Sequence, residues 1–221
     1  MAKEIRDPIQ LRYQILQVFL SACDTTSIAV GNALFHLARN PSVWLELRHT
    51  ALTVGSQTLT FEVLRSLVLF RHVIQETIRL QGPSGRVLRT ALQDTILPVG
   101  GGPDGQFPIY VNKGVVVALN LWCLHHDRDI WGNDAHKFNP HHWIDKRPMW
   151  DFVPFLGGPR ICPAQQQFLT QAVYVLVRLM REYARIENRD PVAEYVEFTK
   201  MTTESRNGVK IALFAVESNL Y

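Results

Sequence analysis

Cysteine is scarce in this chain. Its 221 residues hold three, Cys23, Cys123 and Cys162, an odd number, far apart and without a C-x-x-C pair, which argues against a disulfide framework and for a reducing compartment. Runs of like charge are also missing. The formal net charge of +3 is spread along the chain, with no block of five or six lysines or arginines, so no nucleic acid is expected as a partner. No internal repeat or low-complexity tract appears. The opening MAKEIRDPIQLRY is charged and then broken by proline, unlike the basic start and apolar core of a secretory signal, and neither a signal peptide nor an anchor is expected from it.

What is present is ordinary globular material, 47% hydrophobic and 10% aromatic, enough to bury one sizeable core. From Pro8 to Asn40-Pro41 the residues are apolar at helical spacing, which predicts one helix roughly 50 Å long crossing the interior. A membrane span is the competing expectation, but Asp24 stands in the middle of the apolar run at a cost of about 2.5 to 3.5 kcal/mol. A shorter helix is predicted around Ser42 to His49, and a longer one over FEVLRSLVLFRHVIQETIRLQ, ended by Gly82-Pro83. RTALQDTILP and PIYVNKGVVVALN flank VGGGPDGQF, a β-hairpin signal. The stretch from His125 to Phe155 has no clear period and reads as a long packed meander, the kind of segment that is usually functional. A last long helix follows Cys162 to about Tyr183, and MTTESRNGVKIALF predicts a hairpin turning at Asn207-Gly208.

Chemistry concentrates in FLGGPRICPA. Gly157-Gly158 allow backbone angles closed to other residues, Phe155 offers an apolar cover, and Cys162 stands at a helix start whose positive end favours a thiolate. That is a setting for a metal-bound sulfur; the plainer alternative is a buried small hydrophobe. Glu76 and Arg79, spaced i and i+3, form an ion pair or nothing of note, worth about 0.2 to 0.5 kcal/mol on an open helix. Thr25, in SACDTT, either serves chemistry or returns its hydroxyl to the carbonyl of Ser21. Cys123, His125, His126, His136, His141 and His142 supply metal-ligand types, but their spacing does not match the usual structural-zinc patterns.

Taken together, Phe155, Gly158, Arg160 and Cys162 as F-x-x-G-x-R-x-C, Glu76 and Arg79 as E-x-x-R, and the S-A-C-D-T-T helix resemble the cytochrome P450 family of haem-thiolate monooxygenases. GGGPDGQFPIYVNKG and HHDRDIWGNDAHKFNPHHW resemble fungal members of its alkane- and fatty-acid-hydroxylating branch. The resemblance covers essentially all of residues 1–221 and implies a mainly α fold with small β-hairpins, the C-terminal portion of a family domain roughly twice this length, whose N-terminal half is not represented.

The resemblance further implies haem b, iron protoporphyrin IX, with Cys162 as axial ligand of the iron. Arg160 and Arg89 are implied for its propionates, Phe155 and Gly158 for the cradle of the sulfur, and Asp24 and Thr25 for proton delivery. Glu76, Arg79 and His142 form the structural triad, His142 standing where the family usually has arginine; a neutral imidazole offers one donor against five, so a weaker triad is expected. Ala22 and Ala164 replace family glycines, and Ala164 adds a methyl where helix and porphyrin meet. Implied partners are NADPH-cytochrome P450 reductase, drawn by Lys137, Lys146, Arg178 and Arg181 and supplying electrons from NADPH, and a small lipophilic substrate such as a fatty acid, alkane or secondary metabolite. Membrane association and a place on the cytosolic face of the endoplasmic reticulum follow from the family alone. The alternative is a non-catalytic remnant with weak or no haem binding.

Overall fold

The computed structural model describes residues 4–216. Its long helix α1 (Pro8–Arg39) is capped by the Asp7 side chain, which accepts from the Ile9 N–H, with proline in the first turn. Helix α2 (Pro41–Thr53) follows directly. The next stretch is two helices rather than one: α3 (Phe61–Ser66) and α4 (Val68–Gln81) are separated at Leu67, whose ψ of 75° leaves the helical region. Neither Gly nor Pro marks that break, so only packing announces it.

The core is α-helical. On α4 the residues Phe70, Val73, Ile74 and Ile78 are buried, the i, i+3, i+4 stripe of an amphipathic helix. Helix α7 (Gln165–Glu182) presents Phe168, Ala172, Val173, Leu176, Val177 and Met180 to the same core. Ala29 and Ala33 on α1 are fully buried, small enough to let that helix approach its neighbours closely. Only the C-terminal half of α1 enters this interior. Burial starts at Ile28, while Tyr13, Leu16, Phe19 and Leu20 are exposed, Phe19 at 63%. The expected crossing of the interior is therefore corrected: helical spacing fixes which residues share a face, but burial needs a surface to pack on, and the first half of α1 has none among the described residues. By length and composition alone α1 is also apolar enough to cross a membrane.

Four small antiparallel pairs surround the helices. β1 (Arg86–Thr90) pairs with β4 (Val116–Asn120), and inside that pair β2 (Thr95–Gly101) pairs with β3 (Phe107–Val111). The meander contains two short helices, α5 (Leu121–His125) and α6 (Arg128–Trp131), and a 3₁₀ turn at Pro140–Trp143. In the tail, β5 (Tyr183–Asn188) pairs with β8 (Ile211–Ala215), and β6 (Glu197–Thr199) with β7 (Thr203–Ser205). The hairpin thus turns at Lys200–Thr202, not at Asn207-Gly208. Gly208 does turn, with φ of 70°, but it hands the chain from β7 to a strand paired elsewhere. Partner choice follows burial: Ile186 is buried, and Ile211 and Leu213 pack on the core beside it.

Phe70 is fully buried and Leu92 is 86% exposed. In urea unfolding, Phe70→Ala is expected to cost about 3–5 kcal/mol by leaving a cavity, and Leu92→Ala to stay within about 0.5 kcal/mol. Equal effects contradict the assigned core.

Candidate functional site

The centre of the molecule is an ion pair without solvent. Arg79 and Glu76 side chains are both fully buried. Arg79 Nε donates to Glu76 Oε2 at 2.9 Å and Nη2 to Oε1 at 2.8 Å, a bidentate fork. The remaining donors of the guanidinium go to backbone carbonyls of the meander: Nη1 to His125 at 2.7 Å and Ala135 at 2.6 Å, Nη2 to Lys137 at 3.3 Å. Glu76 in turn accepts from the Asn139 N–H and from Trp143 Nε1, each at 3.0 Å. Burial alone pushes the Glu76 carboxyl up, but the Arg79 fork and the nearby His142 ring outweigh it and hold the group below its ordinary value.

His142 lies between two carboxylates. Its Nδ1 is 3.3 Å from Glu76 Oε1, close but not aligned as a hydrogen bond, and its Nε2 is 2.9 Å from Asp134 Oδ2. Glu76 first, then Asp134, raise the imidazole pKa above 6.5 against the opposing effect of burial. The two carboxylates thus favour the protonated form of a ring that stands where arginine was expected, and each of its nitrogens faces one of them. Asp134, Asn139 and Trp143 were not anticipated as members of this cluster; the only signal was their presence in WGNDAHKFNPHHW, whose spacing does not say which groups converge.

The cysteine loop closes on itself. The Cys162 N–H donates to the Phe155 carbonyl at 3.0 Å, and the thiol carrier is half-buried. Phe155 meets Phe168 edge-on at 5.2 Å, fixing the loop to α7. Gly158 has φ of 68° and open space where a Cβ would stand, so glycine is required there by backbone angle rather than by a neighbour. Leu156, at φ 62°, is the one non-glycine residue with positive φ among those described, a strain on the order of 1–2 kcal/mol held by the loop's closure. Arg160 lies in the turn Gly158–Arg160 and Arg89 on the exposed part of β1. Neither pairs with a carboxylate among the described residues; Arg89 Nη1 donates to the Leu88 carbonyl.

On α1, Thr25 Oγ1 donates to the Ser21 carbonyl at 2.8 Å, and Ser21, Thr26 and Ser27 likewise return their hydroxyls to the helix. Asp24 accepts from Thr202 Oγ1 at 2.9 Å. No hydrogen bond or ion pair joins Asp24 or Thr25 to Cys162, Arg89 or Arg160 among the described residues. Of the expected reductase-facing cations, Lys146 reaches the Ile130 carbonyl and the Trp131 ring, Arg178 pairs with Glu182, and Arg181 donates to Gln57. Of the meander histidines, His125 is buried, accepts from the Val153 N–H and is pushed down to about 4 by burial, while His136 and His141 are exposed.

The sequence matches the family model of Cytochrome P450 over residues 7–202. The chain belongs to the cytochrome P450 family. It is similar to the cytochrome P450 monooxygenase apdE of Emericella nidulans, 46% identical over 97% of this chain and 41% of that protein. It is also similar to iccC of Talaromyces variabilis, 44% identical over 97% of this chain and 42% of that one, and to iliC of Hypocrea jecorina, 43% identical over 97% and 47%. The chain therefore spans less than half the length of these relatives. P450 membership implies a haem, and the residues present fit one. Half-buried Cys162, in its closed loop, would supply a thiolate ligand, and Arg89 and Arg160, which pair with no carboxylate among the described residues, would suit the haem carboxylates.

The raised His142 pKa sets a pH dependence with a definite sign. Above pH 6.5 the folded state binds a proton that the unfolded state does not, so this contribution is full below 6.5 and is lost as pH rises through the higher folded value. His142→Arg, permanently charged, is expected to hold its urea midpoint as pH is raised from 6 to 9, widening its lead over the wild type. Parallel curves contradict the ion-bridge assignment.

Proposed function

We propose that this chain forms the haem-thiolate half of a monooxygenase that inserts one oxygen atom into a small lipophilic substrate, a fatty acid, alkane or secondary metabolite. When bound, haem with a cysteine thiolate ligand would supply the activation of dioxygen. Cys162 would provide the sulfur, its backbone held by the N–H bond to the Phe155 carbonyl in a loop that the Phe155–Phe168 contact fastens to α7. Arg160 and Arg89 bind and orient the two propionates as permanently charged donors. On α1, the Thr25 hydroxyl gives its hydrogen to Ser21 and presents its lone pairs as a proton acceptor, with Asp24 beside it as the acid that exchanges protons with solvent. Electrons come from NADPH through a reductase of the NADPH-cytochrome P450 type, and the working place is the cytosolic face of the endoplasmic reticulum membrane.

The observation that carries this is the closed loop around Cys162, fastened to α7 on one side and through the meander to the Glu76–Arg79 pair on the other. A second reading, a non-catalytic remnant with weak or no haem binding, is favoured by the exposed apolar half of α1. One spectrum separates them. Reconstituted with haem, reduced and exposed to carbon monoxide, the chain is expected to show a band at about 450 nm, and Cys162→Ser to lack it. No such band in the wild type supports the remnant instead.

A further inference from the structure

The C-terminal segment lies along α1 on a single stripe. Tyr195 Oη donates to Asn32 Oδ1 at 2.8 Å, its ring meets Phe35 edge-on at 5.2 Å, and Val209 stands 3.8 Å from where a Cβ on Gly31 would be. Positions 24, 31, 32 and 35 share a helix face. The bond from Thr202 Oγ1 to Asp24 Oδ2, 2.9 Å, stands at the exposed end of that stripe.

Thr202 is also fixed from its other side. It sits in the β6–β7 tip, closed by the Thr199–Thr203 pairing and by the Lys200 N–H donating to the Thr202 carbonyl at 2.9 Å. The next residue, buried Thr203, donates its N–H to the Pro83 carbonyl at 2.9 Å, just beyond the end of α4. The hydroxyl is therefore referenced to the helix that carries Glu76 and Arg79. Around Asp24 the other hydroxyls are taken: Thr25 bonds Ser21, Thr26 bonds Ala22, and Ser27 bonds the carbonyl of Asp24 itself. Among the described residues Thr202 is the one donor to the Asp24 carboxylate.

A carboxylate on a short side chain has two torsions to settle, and one fixed, charge-assisted donor is enough to choose between their wells. We infer that Thr202 is a positioning residue for Asp24, holding the carboxylate in the orientation from which it exchanges protons beside Thr25. This rests on Asp24 being the acid of the proton path. Thr202 itself passes no proton to reacting atoms. Its neighbour Met201, 92% exposed, borders a cleft of about 290 Å³ that Arg86, Trp122 and Lys200 also line.

Two readouts decide it. In the chain labelled with ¹³C at aspartate carboxylates, the infrared difference against Asp24→Asn isolates the Asp24 band. Thr202→Val is expected to shift that band, and Thr202→Ser to restore it. An unmoved band in Thr202→Val, or a shift that Thr202→Ser does not restore, overturns the assignment. In the haem-loaded protein, Thr202→Val is expected to raise the share of electrons lost as hydrogen peroxide severalfold while the carbon monoxide spectrum stays unchanged, and Thr202→Ser to reverse it. An unchanged share with an intact spectrum overturns the functional part. Failure of the monooxygenase proposal is distinguishable, because it appears in the wild type as a missing band near about 450 nm.

Discussion

A carboxylate and a guanidinium buried together with no access to water constrain everything around them. Moving Glu76 and Arg79 out of solvent costs several kcal/mol per ion, recovered only when the geometry is close and every remaining donor and acceptor is met. The fork between them leaves Arg79 donors that reach three backbone carbonyls, and leaves Glu76 lone pairs that take an indole and a backbone N–H. Each of those partners belongs to the stretch between His125 and Trp143, which has few regular backbone bonds of its own. The pair is the template on which this irregular segment sets. Losing either ion alone costs about 3–5 kcal/mol, because the other stays buried and unpaired.

From this template a contiguous set of contacts leads to the sulfur. His125, whose carbonyl receives Arg79, uses its own ring to accept the Val153 N–H at 3.2 Å. Phe152, one residue before, packs against Trp143 at 4.6 Å, the same tryptophan that donates to Glu76. Phe155 then enters the core against Phe168, and its carbonyl receives the Cys162 N–H. Position of the cysteine is therefore a consequence of a charge pair far from it in sequence. The arrangement also accounts for the tolerated strain at Leu156, which sits between two anchored residues.

Much of this was legible before the fold was known. Apolar periodicity located α1, the stretch holding α3 and α4, and α7, the punctuation by Asn40-Pro41 and Gly82-Pro83 located the ends of α1 and α4, and E-x-x-R and F-x-x-G-x-R-x-C drew attention to the Glu76–Arg79 pair and to the cysteine loop. What escaped were facts about partners. A 3.6-residue period is the same whether a helix is covered or bare, so the exposed first half of α1 could not be read from it. Asn207-Gly208 signals a turn, but which strands pair is decided by Ile186 and Leu213 reaching the core. The break at Leu67 carries no Gly or Pro. The raised pKa of His142 depends on Glu76 and then Asp134, and the orientation of Asp24 on Thr202, 178 residues away, and nothing in local spacing announces either.

That the ion pair orders the cysteine loop is tested most directly by removing both charges at once and leaving shape. In Glu76→Leu/Arg79→Met, apolar replacement of both members spares the cost of an orphaned ion, and hydrogen exchange can be followed residue by residue. The account predicts that the Asn139, Val153 and Cys162 amides lose protection while those of α7 around Leu176 keep it. Retained protection at Cys162, with the Asn139 amide released, would contradict it.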